Sequence, residues 1–162
     1  METSTISIRR MRSTDIAAVQ ELFQEIDRVH QELLPEEFAR YTDEPRNPSF
    51  IAILLNDPSR RVFLATNDED VIGMTIAKLT EPSSFKIFRP KTTVQVSDFV
   101  VLPEYRKQGI GERLMNQVEN WARTRNADAI QLTVYNQNSE ALDYYRHHQF
   151  KPLKTTLEKP LD

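Results

Sequence analysis

Two of the chain's three glycines, Gly109 and Gly111, stand one residue apart, directly after Arg106, Lys107 and Gln108. They separate an apolar run, 94–102, from a run of helical periodicity, 110–125. Glycine reaches backbone angles closed to other residues and lets a ligand come close to the main chain. A helix start adds unpaired N–H groups and the positive end of the dipole. Together these suit an anion, above all phosphate or diphosphate; glycines that only pack a tight strand-to-helix turn are the plainer alternative. The run lacks the third glycine and later acid of a dinucleotide fingerprint, and the Gly-Lys-Ser/Thr of a Walker loop.

Other residues could move protons. Tyr144 and Tyr145 are adjacent, and a phenol can protonate a leaving group. Neighbours on a helix point about 100° apart, so one of the pair is expected in the core. Asp98 lies in the apolar run and, on strict alternation, shares a face with Val94, Val96, Val100 and Leu102. A carboxylate there is costly unless paired or used. It is either a base, acting directly or through water, or a hydrogen-bonded aspartate at a bulge. His30 has the pKa range of a proton carrier, but its place one turn after Ile26 also suits a structural or surface histidine. Glu25, Asp27, Glu32, Glu36 and Glu37 form an acidic belt, read as solvated helix faces or as a rim attracting ammonium groups. His147 and His148, beside Arg146, read as surface residues at a helix end. The three histidines are not spaced like a zinc set and there is no cysteine, so no metal site, disulfide or thiol nucleophile is expected.

These groups need elements to position them. A short strand is expected at 5–10, then a helix from Asp15, capped by Ser13 or Thr14, with Ile16, Val19, Leu22, Phe23, Ile26 and Val29 at helical spacing. A short helix follows from Pro35 through Tyr41, and a further helical stretch at 49–55. Strands at 61–66 and 71–79 form a hairpin, with Gly73 as a candidate bulge. After a loop comes the strand 92–102, ended by Pro103. The next helix carries a stripe of Ile110, Leu114, Val118, Trp121 and Ala122, and Asn126 can end it. A half-buried strand at 129–135, a helix capped by Asn138 and a closing strand at 150–157 complete the order. That order implies a mixed sheet with helices on both faces.

The 162 residues are expected to form one domain, 1–162, with 39% hydrophobic and 28% charged residues. A net charge of −3 argues against a general nucleic-acid binder and is compatible with a cationic substrate. No apolar stretch approaches a membrane span, and the start lacks a signal-peptide layout, so a soluble cytoplasmic protein is expected.

Arg-x-x-Gly-x-Gly after the Val-x-Pro-x-Tyr strand end (Val101, Pro103, Tyr105) resembles the signature loop of the GNAT superfamily of N-acetyltransferases. Asn138, Ala141, Tyr144, Tyr145 and Phe150 are similar to that family's Asn-x-x-Ala-x-x-aromatic-Tyr-x-x-x-Gly-Phe motif, in the family's order and separation. Gln149 stands where the family usually has the glycine. The resemblance implies an α/β fold: a mixed, mostly antiparallel sheet whose middle strands, 92–102 and 129–135, splay apart. It implies acetyl-coenzyme A, with its pyrophosphate on the main-chain N–H groups of Arg106, Lys107, Gln108, Gly109, Ile110 and Gly111. The pantetheine arm would pair with the backbone of Phe99, Val100 and Val101, as a strand added to an edge. An N–H near Val100 or Val101 would steady the oxyanion, Asn138 would contact the cofactor, and Tyr145 would be the general acid, with Tyr144 left for packing. Thr133 stands where some protein N-terminal acetyltransferases of the family carry a glutamate base, which points away from that kind of substrate. The expected reaction is direct transfer to a primary amine of a small molecule or peptide in a ternary complex, with Asp98 the first candidate base and His30 the second. A homodimer is common among such proteins. The competing readings are a non-catalytic acyl-coenzyme A-binding module and an enzyme using a longer acyl donor.

Overall fold

The computed structural model describes residues 5–39 and 46–161. Its elements are β1 (Ile6–Arg10), α1 (Ile16–Leu33), α2 (Pro48–Asn56), β2 (Arg60–Asn67), β3 (Asp70–Thr80), β4 (Thr93–Val101), α3 (Ile110–Thr124), β5 (Ala129–Leu132) and α4 (Ser139–His147). The strands form one sheet in the order β1-β2-β3-β4-β5, antiparallel except for the parallel β4–β5 pair.

Alternation along β2 divides the core. Val62 and Leu64 face α1 and α2 with Val19, Leu22, Phe23, Ile26, Ile51 and Leu54. Phe63 and Ala65 face α3 with Ile110, Leu114, Met115, Val118, Trp121 and Ala122. Helices therefore cover both faces, as the element order requires. The α3 stripe is the expected one with Met115 added, and it buries completely except at Trp121 and Ala122, which are nearly so.

Two bulges adjust this pattern. Ala65 pairs with Gly73 and Thr66 with Val71, which leaves Ile72 as the extra residue, one position before the expected Gly73. Gly73 itself is required by space, since a Cβ there would stand 3.0 Å from the Val100 carbonyl oxygen. In β4, Val96 pairs with Ala77 and Asp98 with Ile76, so Ser97 is extra. Pairing of β4 with β5 ends immediately before it, at Val96–Leu132. A bulge bends its strand and can end pairing, so the insertion of Ser97 accounts for the splay.

Several expectations fail for local reasons. Neither Ser13 nor Thr14 caps α1; a 3-10 turn, Ser13–Asp15, precedes it, and the Asp15 carboxylate accepts from the Arg12 N–H at 2.7 Å. Arg9 donates two bonds to the same buried carboxylate, at 2.7 and 2.8 Å. Pro35 starts only a turn, because the N–H groups of Glu37 and Phe38 both return to the Leu34 carbonyl; Tyr41 lies outside the described residues. β5 stops at Leu132 rather than 135, where the splay begins. No strand forms at 150–157: residues 151–161 run exposed without a ladder partner among the described residues, carrying Leu153, Leu157 and Leu161 on the surface. A strand exists only through its ladder bonds, so an alternating pattern alone does not make one.

Candidate functional site

The turn from β4 into α3 has the shape of an anion cradle. Lys107 (φ 60°) and Gly109 (φ 75°) both adopt the left-handed conformation. Such turns aim successive N–H groups into one concavity. Arg113 N–H is the first in α3 to find a carbonyl, that of Gly109 at 3.1 Å; the earlier first-turn amides have no helical acceptor. The two glycines serve differently. At Gly109 a Cβ would meet nothing within 4 Å, so its angle is what demands glycine. At Gly111 a Cβ would stand 3.1 Å from the Tyr144 hydroxyl and 3.4 Å from the Phe99 ring, so glycine there gives those two side chains room.

Arg106 enters this site otherwise than as a main-chain donor. Its N–H already bonds the Pro103 carbonyl at 3.2 Å, so the free amides begin at Lys107. Its guanidinium donates to the Val101 carbonyl at 2.9 Å and to Glu25 at 2.8 Å. It thereby ties the cradle to the edge of β4 and to α1. Glu25 also accepts from Arg28, whose hydrogen bonds are the main reason its pKa lies below the ordinary carboxylate value. Glu32 pairs with Arg28, and Asp27 with Arg46. Much of the acidic belt is thus paired, neither bare rim nor merely solvated face.

Beyond Val96, residues Ser97–Val101 of β4 have no strand on the β5 side. Phe99, Val100 and Val101 lie on this open edge. Val100 is buried under α1, while Phe99 and Val101 pack on the α3 side. Asp98 does not share the face of Val94 and Val96 as strict alternation requires. The extra Ser97 puts those two valines under α3 and leaves Asp98, opposite Ile76, on the α1 side with Val100 and Leu102. Its carboxylate is half-buried and accepts from Ser97 Oγ at 2.7 Å.

α4 brings both tyrosines to Phe99, with ring centroids 5.8 Å (Tyr144) and 6.2 Å (Tyr145) away. Tyr145 packs against Phe150 at 5.5 Å and joins the α3 core; burial raises its pKa strongly. Tyr144 stacks on His148 at 4.2 Å, and its buried hydroxyl, with no hydrogen-bond partner among the described residues, stands at Gly111. Burial, then the charge of Glu112, pushes it up to about 12. Both phenols therefore hold their protons at neutral pH. The hydroxyl nearest the cradle is that of Tyr144, the residue the motif leaves for packing. Asn138 caps α4 as expected, its side-chain oxygen accepting from Ala141 N–H at 3.1 Å, which leaves its NH2 for a ligand. His147 and His148 bond their ring nitrogens to carbonyls of their own helix, and no group of three or more His, Cys, Asp or Glu among the described residues could hold a metal.

A cluster absent from the sequence reading lies on the α1 side. His30 stacks on Phe38 (4.8 Å, 15°) and meets Tyr135 edge-on at 6.5 Å, while Phe38 and Tyr135 are 5.6 Å apart. No local spacing signals this meeting of the end of α1 and its turn with the segment after β5. A separate pocket of about 430 Å³, lined by Arg61, Trp121 and Arg125 among others, opens at the far end of α3 and includes no cradle residue.

The chain belongs to the Acetyltransferase (GNAT) family, whose sequence profile matches residues 23–150. An uncharacterized N-acetyltransferase of Archaeoglobus fulgidus is 29% identical over 110 residues, covering 68% of this chain and 72% of that one. The streptothricin acetyltransferase of Streptomyces lavendulae is 32% identical over 95 residues, which are 58% of this chain and 46% of that one. Among solved structures, a mutant of a Bacillus halodurans protein superposes with a TM-score of 0.90 at 23% identity, covering 96% and 99% of the two chains. An aminoglycoside N-acetyltransferase in complex with CoA superposes at 0.73 with 16% identity, covering 99% and 97%. At these identities the superpositions establish a shared fold.

Proposed function

We propose that this protein transfers the acetyl group of acetyl-coenzyme A directly to a primary amine. The observation that carries the reading is the left-handed turn at Lys107 and Gly109, which leaves the first amides of α3 facing one concavity beside an unpaired strand edge. That donor set fits a diphosphate followed by an extended amide-bearing arm. The amides from Lys107 to Gly111 would hold the diphosphate, the open edge at Phe99–Val101 the arm, and the Asn138 NH2 group a further polar atom. When bound, the coenzyme supplies an activated acetyl thioester.

The chain's own residues then do three things. The β4 edge orients the carbonyl, with an N–H near Val100 or Val101 as oxyanion donor. Tyr145 is the proton donor to the departing sulfur, its raised pKa keeping it protonated. Asp98 sets a negative charge on the acceptor side, where it attracts an ammonium group. Holding amine and thioester together supplies much of the rate.

Calorimetry with coenzyme A and acetyl-coenzyme A, followed by thioester-cleavage assays over an amine panel, tests this. Binding with turnover for at least one amine is expected. Tight binding with no turnover on any amine would instead favour the acyl-coenzyme A-binding module, and no binding by folded protein would remove the reading. A homodimer belongs to the same reading, supported by the exposed Leu153, Leu157 and Leu161 of the extended 151–161 segment. Light scattering that returns a monomer at working concentration would reject it.

A further inference from the structure

We propose that His30 is the base of this reaction, held by Phe38 and Tyr135 over the opening between β4 and β5, with Asp98 supplying the charge that steadies the imidazolium. The inference rests on the acetyl-transfer reading above and names the proton acceptor and acceptor class which that reading leaves open.

Three segments converge on the opening. The β4–β5 ladder ends at Val96–Leu132. Asp98 follows on one departing segment and Tyr135 on the other. The end of α1 and its following turn contribute His30 and Phe38; ring contacts join these two to Tyr135, while Asp98 reaches His30 through its charge. Stacking at 4.8 Å with a 15° tilt fixes the imidazole plane, as a base needs before its substrate arrives.

The charged groups facing His30 are Asp27 from its own helix, Arg46 from the segment before α2, and Asp98 from β4. Asp27 and Arg46 neutralise each other, and Arg46 also lies over the Phe23 ring at 4.6 Å. Asp98 has no cationic partner among the described residues; its contact is the Ser97 hydroxyl. Burial outweighs these charges and holds the His30 pKa below its ordinary 6.5, so the ring is neutral at pH 7 and can accept a proton.

An alkylammonium group has a pKa of about 10 and no lone pair to attack with. Its N–H bond breaks and the proton passes to a His30 ring nitrogen. Once His30 has passed that proton to solvent, the freed pair forms the N–C bond to the acetyl carbon as the C–S bond breaks, the nitrogen gives its second proton to His30, and the sulfur takes the tyrosine proton. Return of the His30 proton to the tyrosinate, through water, closes the cycle. The faces of Phe38 and Tyr135 suit an ammonium group by cation–π attraction, and Asp98 repels a carboxylate beside it. The acceptor class is therefore an amine without a neighbouring anion, of the polyamine or amino-sugar kind, and not an α-amino acid.

His30 is followed by NMR and the reaction by pH-rate profiles, in wild type, His30→Gln, His30→Ala and Asp98→Asn. The His30 signal should titrate below pH 6.5 and shift lower still in Asp98→Asn, since that carboxylate raises the pKa. The acid limb of kcat/KM should follow that midpoint. His30→Gln should lose the limb and about 10²–10⁴-fold in kcat/KM while coenzyme A affinity stays near wild type, and imidazole should partly restore His30→Ala. A retained limb, a loss without change of profile or rescue, or a His30 midpoint indifferent to Asp98→Asn would each overturn the assignment with coenzyme binding intact. Failure of the wild type to bind coenzyme A would overturn the underlying reading, and this one with it.

Discussion

The Tyr144 hydroxyl lies 3.1 Å from where a Cβ on Gly111 would stand, buried and with no hydrogen-bond partner among the described residues. The first turn of α3 and the middle of α4 thus meet through one oxygen at the rim of the cradle. Gly111→Ala would press on that oxygen, the far end of a side chain that can yield by a few tenths of an ångström. Alanine in a helix regains about 0.5–1 kcal/mol over glycine, which offsets the crowding. Thermal unfolding should therefore stay within about 1 kcal/mol of wild type, while calorimetry shows weaker coenzyme A binding. Unchanged affinity would separate Tyr144 from the cradle.

In the proposed reaction, two tyrosines are candidates for one task, protonating the departing sulfur. Tyr145→Phe is expected to lower kcat by about 10²–10⁴ with coenzyme affinity nearly intact, as befits loss of a proton donor. Tyr144→Phe should leave most of the turnover, because it keeps the ring on Phe99 and His148. The reverse ranking would transfer the role to the hydroxyl at Gly111. In either case the phenol's loss of its proton should not limit the rate below about pH 10, since burial raises both pKa values.

Gln149 ends α4 in a conformation made for glycine. It has φ 67°, its N–H bonds the Arg146 carbonyl at 3.0 Å, and the next N–H, of Phe150, reaches back to Tyr145 at 3.0 Å. This is a Schellman cap with a side chain at its left-handed position. That position costs a non-glycine residue about 1–2 kcal/mol. Gln149→Gly should raise stability in urea by about 1 kcal/mol, part of the gain being returned as chain entropy. A destabilised variant would mean the Gln149 side chain makes a compensating contact.

Arg9 and Asp15 set the acid stability of the β1–α1 junction. Two bonds from Arg9, helped by the Arg12 N–H, hold Asp15 below the ordinary carboxylate pKa despite burial. A carboxylate whose folded pKa is lowered stabilises the fold fully above its unfolded value, about 3.9, and loses that contribution as pH falls through the folded value. Asp15→Asn should cost about 2–3 kcal/mol at pH 7, and its deficit against wild type should shrink as the pH drops below about 4. A deficit independent of pH would show that shape rather than charge matters there.

Legibility in the sequence followed the range of the forces involved. The stripe of α3, the left-handed Asn126 that ends it and the Asn138 cap are local patterns, and each formed as read. The mixed sheet with helices on both faces followed from element order. A bulge at Asp98 is one of the two readings of that residue and is present, with Asp98 accepting from Ser97, but a serine inside a strand does not mark itself as the extra residue, so strict alternation puts Asp98 on the wrong face. The 150–157 strand failed because its pattern could not supply a ladder partner. The meeting of His30, Phe38 and Tyr135, and the reach of Arg106 to Glu25, depend on segments brought together only by the finished sheet.

Ser97 therefore governs more than a change of parity. Without that surplus residue, β4 would offer β5 an unbroken row of amides and carbonyls, and nothing in the backbone would stop the two from zipping onward past Leu132. The domain would keep its layers and lose its doorway: the thioester and amine of the proposed reaction would have no shared space in which to meet. On the proposed function, chain length at a single point keeps the route between two substrates open, and the shortest deletion there would close it.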